Sequence, residues 1–591
     1  MVDVVHTRVG GPAAGARAAA AAREDAERPG SGVRQGPPRT DTGTILIHWG
    51  TAIAFLVSLF TGLRIASDAP DAVVSQWLTP ILPQGEIWTW HFAAGLTLFF
   101  FGSAYILYLR RSGLSRRVNA KKLRVFALPA ATKLKFGALN VALYWLLYAL
   151  VAVLTGTGIL LYLGHGGWLV WVHSTAAFIS IAYIAAHLVS HFLYGGVPQL
   201  LRVFRPAALV ATKTMRPLPL AVGIGAGVVI AGSIAALDLT TRDQLTVAKA
   251  AAAPKIDGVL DDAVWAQAQP VKIRTQQGAN LGGTGESTVE VRAVHDGERI
   301  YFAFKWEDPS RSLRRIPMIK KEDGWHLLHD NADIADVITF YEDKLSIVFA
   351  ETDAFGGGGA THMGERPLSD KPKPLHARGY HYTADGSMID MWQWKASRGG
   401  HLGRVDDQYI GPPRTPTEGE AAGKARYQAG YWNDPGRAFY VYNYKGEPPG
   451  GYRGPVQVLR LPTDWKAVVA AMGKFDLDPD SSNEDGSKWW MMENETAPYS
   501  PELDAAIPVG TVLPGVLIMG DYEGDRADVT GAAKWRDGYW TLEATRKLAT
   551  GSEYDKDFVP GKPLYMWVSV FDHTQTRHTR HARPVRIDVQ N

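Results

Sequence analysis

The stretch WVHSTAAFISIAYIAAHLVSHFLY, Trp171–Tyr194, decides the fold of the first half of the chain. It is apolar and long enough to cross a bilayer as a single helix. His173 stands near its beginning, and His187 follows fourteen residues later. In an α-helix that spacing is about 21 Å along the axis and about 40° short of four full turns. The two imidazoles therefore lie on one side of the helix, at different depths in the membrane.

The composition of the chain limits both its class and its chemistry. With 591 residues it is too long for one hydrophobic core, so two or three domains are expected. The formal net charge of +3 gives no reason to expect nucleic-acid binding. The sequence has no cysteine, which excludes disulfides, cysteine-ligated iron–sulfur clusters, thiolate zinc sites and thioether-attached haem. A haem in this chain would have to be held non-covalently.

Apolar segments in the first 240 residues predict five membrane-spanning helices. Their approximate bounds are Ile45–Ala66, Trp88–Leu109, Leu139–Leu163, Leu169–Tyr194 and Leu218–Leu237. The segments after the second and fourth helices are rich in arginine and lysine, whereas the loop after the first helix carries acidic residues. The positive-inside rule therefore predicts a cytoplasmic N-terminus and a periplasmic C-terminal half, in a multi-pass protein of the bacterial inner membrane.

This topology sorts four histidines into two layers. His48 lies near the cytoplasmic start of the first helix, and His91 lies at the outer start of the second helix. The fourth helix begins outside, so His173 is an outer residue and His187 is an inner one. Because ionisable groups at membrane depth are costly and usually functional, we predict that His91 with His173, and His48 with His187, ligate two stacked b haems. Ordinary helix–helix hydrogen bonding is the alternative interpretation.

Other residues of these helices allow more than one interpretation. His191 lies on the same helix face as His187 but nearer the water. It is an interfacial residue, a propionate or quinone contact, or the inner ligand itself. Gly156 and Gly158 in the third helix either let a haem approach closely or serve ordinary small-residue packing, which we favour. The fifth helix has no histidine, and we interpret it as a tether for the second half.

Short motifs around the histidines carry a family resemblance. They are ILIHW in the first helix, WTWHF in the second, and VH and AAH in the fourth. Through them, residues 44–206 resemble the di-haem cytochrome b subunits of formate dehydrogenases and nickel–iron hydrogenases, and the bacterial cytochrome b561 group. The resemblance implies two haems b with bis-histidine ligation, and electron exchange with a membrane quinone near the inner haem. No residue of the sequence marks the quinone pocket itself.

After residue 253 the pattern changes to short alternating runs separated by glycine, proline, aspartate and asparagine. It predicts a β-sandwich with long loops. The clearest predicted strands are Thr288–Val294, Ile300–Trp306, Leu345–Phe349, Gln457–Leu461, Gly515–Met519, Tyr539–Ala544 and Tyr565–Phe571. We interpret the paired acids Asp261–Asp262 and Asp406–Asp407 as turn residues. The hydrolase motifs GxSxG and HExxH are absent from the sequence.

Several stretches of this half resemble a second family. The opening PKIDGVLDDAVWAQA is similar to a sandwich group that includes family-nine carbohydrate-binding modules and the haem-binding subunit of ethylbenzene dehydrogenase. Three later stretches favour the ethylbenzene-dehydrogenase-type haem-binding domain, across residues 255–589. They are EDKLSIVFA from Glu342, GGGGATHMG around His362, and MIDMWQWKASR from Met388.

The second resemblance implies a haem site in the external half. Many relatives carry a CxxCH haem-c site in the second of these stretches, but Gly358 and Thr361 stand where the cysteines would be. The resemblance therefore implies a non-covalent b haem ligated by His362 or Met363. Three more histidines are candidates for a second ligand or a propionate contact, with a surface loop as the alternative: His573, His578 and His581.

The sequence as a whole predicts a membrane all-α part, which is a four-helix di-haem bundle plus one extra helix, followed by an all-β sandwich. The predicted domains are a disordered cytoplasmic tail at 1–40 and the di-haem bundle at 41–206. The fifth helix and a linker follow at 207–252, and the periplasmic haem-binding sandwich occupies 253–591.

The function predicted from these parts is electron transfer. Electrons would pass between membrane quinone and a periplasmic redox protein or molybdoenzyme-type subunit, with lipid around the helices and substrate chemistry left to the partner. One alternative is a carbohydrate- or ligand-binding module on a cytochrome anchor, without a third haem. The other is a terminal reductase whose external haem is itself the active site.

Overall fold

A computed structural model describes most of the chain. The described residues are 37–67, 73–78, 81–83, 87–207, 218–329, 337–353, 361–362, 381–383, 385–422, 427–445, 454–473 and 485–591. Residues 1–36 of the predicted tail and the predicted ligand Met363 lie outside them. His362 lies in the two-residue strand Thr361–His362, whose backbone pairs with Tyr382–Thr383. Its side chain is outside the description.

The first half of the chain is helical, as predicted. Five helices are long and apolar enough to cross a membrane. They are α1 (Thr42–Ala66), α2 (Ile87–Arg111), α3 (Thr132–Tyr162), α4 (Trp168–Leu200) and α5 (Leu218–Thr240). Helix α4 is kinked after Tyr194, because Gly195 and Gly196 have non-helical backbone angles. Helix α3 begins seven residues before the predicted span, because hydropathy marks the apolar part of a helix and misses a polar first turn.

The helices pack in pairs. Helix α1 lies against α2 and α3 lies against α4, whereas the two pairs approach each other closely at few positions. Helix α5 lies on the outside of α2. A Cβ atom at Gly223 or Gly227 would lie 2.7 Å from a backbone carbonyl oxygen of α2. The fifth helix is therefore more than a tether, since its glycines allow it to pack tightly on the bundle.

Asp41 links the helices at one end of the bundle. We call this end, which lies away from the sandwich, the far end. Its buried carboxylate caps α1 by accepting a hydrogen bond from the Thr44 amide at 2.9 Å. It also accepts hydrogen bonds from the Tyr108 hydroxyl at 2.6 Å and from Arg117 at 2.9 Å. The backbone of Thr40–Asp41 pairs in parallel with Pro206–Ala207, just beyond α4. The far end thus links α1, α2 and the chain that leaves α4.

The second half is built on one twelve-stranded sheet. Its strands, in chain order, are β1 (Gln244–Lys249), β2 (Val271–Thr275), β3 (Ser287–His295), β4 (Arg299–Glu307), β5 (Lys344–Ala350), β6 (Ile389–Lys395), β7 (Asp406–Ile410), β8 (Tyr431–Asn433), β9 (Thr530–Arg536), β10 (Tyr539–Lys547), β11 (Leu564–Phe571) and β12 (Val585–Val589). The spatial order is β8-β7-β6-β5-β11-β12-β1-β3-β4-β10-β9, and β2 pairs with β3.

This sheet folds over on itself into a sandwich. Phe302 on β4 is five positions away from β5 in the sheet, yet its ring centre lies 5.5 Å from that of Phe349 on β5. It also lies 5.7 Å from Trp392 on β6. The inward residues of both halves form one large core, as alternating strands with one buried face require. The all-β fold class predicted for this half is confirmed.

Shorter elements surround the sandwich. Helices occur at Val73–Leu78 in the membrane half and at Ala263–Gln267, Glu418–Ala421, Trp465–Ala471 and Pro501–Ala505 in the β half. Small separate sheets join Met318–Lys321 with Gly324–Leu327 and Val512–Leu513, and Tyr440–Tyr442 with Val516–Ile518 and Met491–Met492. Two-stranded pairs join Gly436–Arg437 with Glu523–Gly524, Tyr444–Lys445 with Gln457–Val458, and Arg460–Pro462 with Thr496–Pro498.

Two of the predicted turn residues are not in a turn. Asp406 and Asp407 lie in strand β7 and are 1% and 0% exposed. Asp406 is paired with Lys395 and Arg526, which are distant in sequence or on another strand. The turn interpretation was wrong because partners that come from elsewhere in the fold allow these acids to be buried.

Candidate functional site

The structure brings two of the predicted ligands together. The rings of His91 on α2 and His173 on α4 have centres 6.3 Å apart, with their planes inclined by 69°. Two imidazoles that bind one metal from opposite sides have centres about 6 Å apart, since each metal–nitrogen bond is about 2 Å long. The spacing of this pair therefore fits one iron between the rings.

The Nδ1 atom of His91 is already hydrogen bonded. It lies 3.0 Å from the Ser58 carbonyl oxygen and 3.1 Å from the Thr61 hydroxyl, both on α1. The Thr61 hydroxyl donates its own proton to the Val57 carbonyl at 2.6 Å. Both neighbours of Nδ1 are therefore acceptors, so Nδ1 carries the proton and Nε2 keeps a lone pair for a metal.

His173 has the same surroundings on the other helix pair. Its Nδ1 lies 2.8 Å from the Thr157 hydroxyl on α3, and its ring also hydrogen bonds the Leu154 backbone. The Thr157 hydroxyl donates to the Val153 carbonyl at 2.7 Å. Here too the hydroxyl oxygen accepts from Nδ1, which leaves Nε2 of the second imidazole free to bind a metal.

A glycine follows each of these threonines. A Cβ at Gly62 would lie 3.0 Å from Cε1 of His91, and a Cβ at Gly158 would lie 3.5 Å from Cε1 of His173. Each Thr-Gly pair therefore orients one imidazole and makes room for its ring. The packing interpretation favoured for Gly158 is incomplete, since the residue it faces is a candidate ligand. The dipeptides Thr61-Gly62 on α1 and Thr157-Gly158 on α3 were the signal that sequence analysis missed, although Thr-Gly also occurs at 42–43 and 155–156.

Arg64 is a second residue that sequence analysis missed. It lies two residues beyond the Thr-Gly pair of α1 and is 0% exposed. One guanidinium nitrogen donates to the Ser67 hydroxyl at 3.1 Å. Its other two nitrogens are buried without a hydrogen-bond partner in the described part of the chain. A buried guanidinium in this state fits an anionic group such as a haem propionate.

The second layer, formed by His48 with His187 and His191, lies at the other depth of the bundle. The pairing of its histidines is less clear than that of His91 and His173. His48 is fourteen residues from Gly62 on α1, as His187 is from His173 on α4. The ring of His187 lies 4.6 Å from that of His191 and 5.6 Å from that of Tyr183. His48 interacts electrostatically with both histidines of α4. His187 and His191 therefore both lie within electrostatic range of His48.

Apolar side chains occupy the sequence positions between the two layers. Phe55 on α1 and Leu98 on α2 are buried in one cluster, against which Leu154 on α3 and Ile184 on α4 are packed. All four helices contribute to it. The two histidine layers are therefore separate sites, divided by hydrocarbon side chains.

The sandwich lies against the bundle end that holds His91 and His173, which we call the sheet-side end. Gln276 donates a hydrogen bond to the Leu161 carbonyl at the end of α3, at 2.6 Å. Arg583 donates to the Asp238 carboxylate near the end of α5, at 3.0 Å. The guanidinium of Arg580 lies 5.4 Å from the centre of the Trp88 ring on α2. Three of the five helices thus contact the sandwich at this end.

Comparisons with known proteins divide the chain at the same place. A family model described as prokaryotic cytochrome b561 matches residues 39–206. A second, described as ethylbenzene dehydrogenase, matches residues 262–583, which is more than half of the chain. The chain belongs to the ethylbenzene dehydrogenase family. Its cytochrome b561 part makes it a membrane b-type cytochrome that binds haem b and transfers electrons.

Solved structures resemble the family domain only weakly. A family 9 carbohydrate binding module from Caldicellulosiruptor kristjanssonii is 8% identical, over 58% of this chain and 96% of that chain, with a TM-score of 0.21. A putative carbohydrate-binding protein from Bacteroides uniformis is 9% identical, over 59% and 100%, with a TM-score of 0.22. No curated protein matches the chain.

The ethylbenzene dehydrogenase family domain contains a buried cationic cluster, which we define as Arg315, Lys344 and Arg398. These residues are 4%, 3% and 6% exposed. Arg398 is paired with the buried Glu342. The guanidinium of Arg315 instead lies 3.8 Å from the centre of the Tyr442 ring, and the Lys344 ammonium donates to the Gln575 carbonyl at 2.7 Å. The cluster holds more positive than negative charge.

The charge of this cluster changes the titration of its members. Burial lowers the pKa of the Lys344 ammonium well below its usual value, and the nearby Arg398 lowers it further. Burial alone would raise the pKa of Tyr442, but Arg315 and Arg398 outweigh that effect and bring it to about 8. Tyr442 is 37% exposed and Val441 beside it is 40% exposed. The cationic cluster therefore favours negative charge at a partly open surface.

The three histidines near the C-terminus lie in the segment between β11 and β12, where His573 is buried and His578 and His581 are half-buried. His573 is fully buried, and its Nδ1 lies 2.5 Å from the Asp572 carboxylate. Nδ1 of His578 lies 2.7 Å from the Thr579 carbonyl. Nδ1 of His581 accepts a hydrogen bond from the Val568 amide at 3.2 Å. Each histidine thus has a local structural partner on one ring nitrogen.

Proposed function

We propose that this chain carries electrons between membrane quinone and the external ethylbenzene dehydrogenase family domain, using two bis-histidine haems b. The observation that carries the proposal is the geometry of His91 and His173. Their ring spacing suits one iron, and both Nδ1 protons are fixed by acceptors on neighbouring helices. Haem supplies reversible one-electron chemistry when it is bound.

The residues of each layer have separate tasks in this proposal. His91 and His173 hold the first haem, and Thr61 and Thr157 set the tautomer and orientation of their rings. Arg64 offers its unpaired nitrogens to a propionate. His48 holds the second haem with His187, or with His191 in its place. The side chains between the layers keep water out of the bundle.

The contact between the bundle and the sandwich supports a direct route to the external domain. Trp88 and Leu161 lie at the sheet-side end, on the helix pairs that carry His91 and His173. Arg580 and Gln276 of the sandwich touch them. We infer that the first layer exchanges electrons with the sandwich, and the second with quinone. By the positive-inside rule the first layer faces the periplasm.

We further propose a third haem in the external domain. The cationic cluster supports this proposal, since two buried guanidinium groups and the Lys344 side chain, with one buried carboxylate, suit the propionates of a haem. His362 and Met363 remain its proposed ligands. The partner that exchanges electrons with this domain would be a periplasmic redox protein or a molybdoenzyme-type subunit.

A haem count of the purified full-length protein tests the proposal. We expect three haems b per chain by pyridine haemochrome, and reduction of the bundle haems by a quinol analogue. His91→Ala and His173→Ala should each remove the same haem, whereas His165→Ala, at a half-buried loop histidine whose ring is hydrogen bonded to Arg274, should keep all of them. Two haems in the wild type would favour a binding module on a cytochrome anchor. If the His91→Ala variant bound as many haems as the wild type, the bis-histidine assignment would be contradicted.

A further inference from the structure

Four aspartates are buried together at one edge of the large sheet. Asp390 lies on β6, Asp407 on β7 and Asp434 just after β8, and these are the three last strands at that edge. Asp555 comes from the segment that follows β10. Their exposures are 0%, 0%, 2% and 8%. The fold therefore gathers four carboxylates from three adjacent strands and one loop.

Three of the four carboxylates converge, and the fourth belongs to Asp434, whose backbone amide donates to the Asp407 carbonyl at 3.2 Å. One oxygen each from Asp390, Asp407 and Asp555 lie within 4.8 Å of one another. Among the described residues, one buried cation accompanies them. It is Arg546, whose Nη1 lies 2.8 Å from Asp390, 2.9 Å from Asp555 and 3.6 Å from Asp407. One guanidinium against four ionised carboxylates leaves three negative charges without a partner.

The carboxylates of two of these aspartates accept no hydrogen bond from the described residues. Within the described part of the chain, both carboxylate oxygens of Asp407 and of Asp434 are buried and accept no hydrogen bond. The next residue, Asp406, differs, because it is paired with Lys395 and Arg526. Burying a carboxylate without a hydrogen-bond partner destabilises the fold by about several kcal/mol, because the group loses its hydration and gains nothing in return. Arg546 is the nearest cation to Asp407, at 3.6 Å, so the carboxylates of Asp407 and Asp434 still offer free oxygens to a bound cation.

We propose that Asp390, Asp407, Asp434 and Asp555 bind one divalent cation, and that the cation is Ca²⁺. All the donors are hard carboxylate oxygens, which suits Ca²⁺ or Mg²⁺ and not the softer metals. A cage made by the protein itself favours Ca²⁺, since Mg²⁺ usually keeps several of its waters. The ion would fasten strands β6, β7 and β8 to the loop after β10.

Metal analysis of the full-length protein in detergent tests the proposal. After equilibrium dialysis against Ca²⁺ and removal of free metal, we expect about one calcium per chain by atomic emission. Treatment with EGTA should lower the Tm, and added Ca²⁺ should restore it. A wild-type protein that retains no calcium, and whose Tm ignores both EGTA and Ca²⁺, would overturn the proposal. A response to Mg²⁺ alone would overturn the assignment of calcium.

Variants locate the bound ion. Asp407→Asn and Asp434→Asn should each weaken calcium binding at least about tenfold and abolish the response to EGTA. Asp406→Asn is the matched control on the same strand, because its partners are Lys395 and Arg526. It should lower stability yet keep the calcium. Terbium luminescence gives a second measure, since Trp392 stacks 5.1 Å from Arg546 and should sensitise a nearby ion. Equal calcium binding by wild type and Asp407→Asn would place the ion elsewhere.

Discussion

Thr61 and Thr157 stand in the same relation to two different histidines. Each donates its hydroxyl proton to a carbonyl one turn earlier and accepts from the Nδ1 of an imidazole on the adjacent helix, His91 and His173 respectively. The two helix pairs of the bundle therefore present one imidazole each, held in the same way. This repetition makes the sheet-side layer the better defined of the two histidine layers.

Removing either threonine hydroxyl should loosen haem binding in that layer. In Thr61→Val and Thr157→Val the side-chain acceptor of Nδ1 is lost, and losses of this kind cost about 10–100-fold in metal affinity. Haem content after gel filtration and the midpoint potential of the remaining haem measure the effect. Thr97→Val is the control, because the Thr97 hydroxyl is exposed and bonds only to its own helix. Equal haem loss in the control would contradict this prediction.

The glycines beside the imidazoles should not tolerate a methyl group equally. In Gly62→Ala the new Cβ would lie 3.0 Å from the His91 ring, and in Gly158→Ala it would lie 3.5 Å from His173. Overpacking typically costs about 1–3 kcal/mol, so Gly62→Ala should displace its imidazole and lower haem occupancy more than Gly158→Ala. The visible spectrum and haem stoichiometry report this. Gly225→Ala, with open space around its Cβ, should match wild type.

Tyr442 should titrate at an unusually low pH. Its pKa of about 8 in the folded protein lies below the value of about 10 for tyrosine in unfolded chains. The folded state therefore releases this proton first, and the free energy of unfolding should rise as the pH goes from about 8 to about 10. Tyrosinate absorbance near pH 8 should vanish in Tyr442→Phe. Tyr440→Phe should keep it, because burial raises the pKa of Tyr440 to about 12.

A side chain at Gly166 should separate the sandwich from the bundle. A Cβ there would lie 2.7 Å from the side-chain oxygens of Gln276 and Glu286. In Gly166→Leu we expect normal reduction of the bundle haems by a quinol analogue and slower electron transfer to an external acceptor. Stopped-flow spectroscopy separates the two steps. An external rate equal to that of wild type would show that this contact is not on the route.

Sequence periodicity located most of the architecture, for a physical reason. A membrane helix needs a continuous apolar run, and a half-buried strand needs alternation, so both leave a local trace. The predicted strand Thr288–Val294 became Ser287–His295, and Tyr565–Phe571 became Leu564–Phe571. The predicted depth of the histidines used only the order of the helices, and the structure brings His91 and His173 into one layer.

Contacts between distant parts of the chain left no such trace. Thr61 and His91 are thirty residues apart, and nothing local in either helix marks them as partners. Asp407 looks like a turn residue until β6, β8 and Arg546 are placed around it. The ligation of His48, His91, His173, His187 and His362 stays a prediction, as does that of Met363.

The close contact between the bundle and the sandwich at Gly166 also bears on the loss of electrons to dissolved oxidants. Gln276 and Glu286 lie so close to this glycine that a side chain at position 166 would clash with both. An electron that leaves the sheet-side layer at this contact would thus enter the sandwich rather than the solvent. Placing both halves on one polypeptide would then protect the cell from stray superoxide as well as shorten the route.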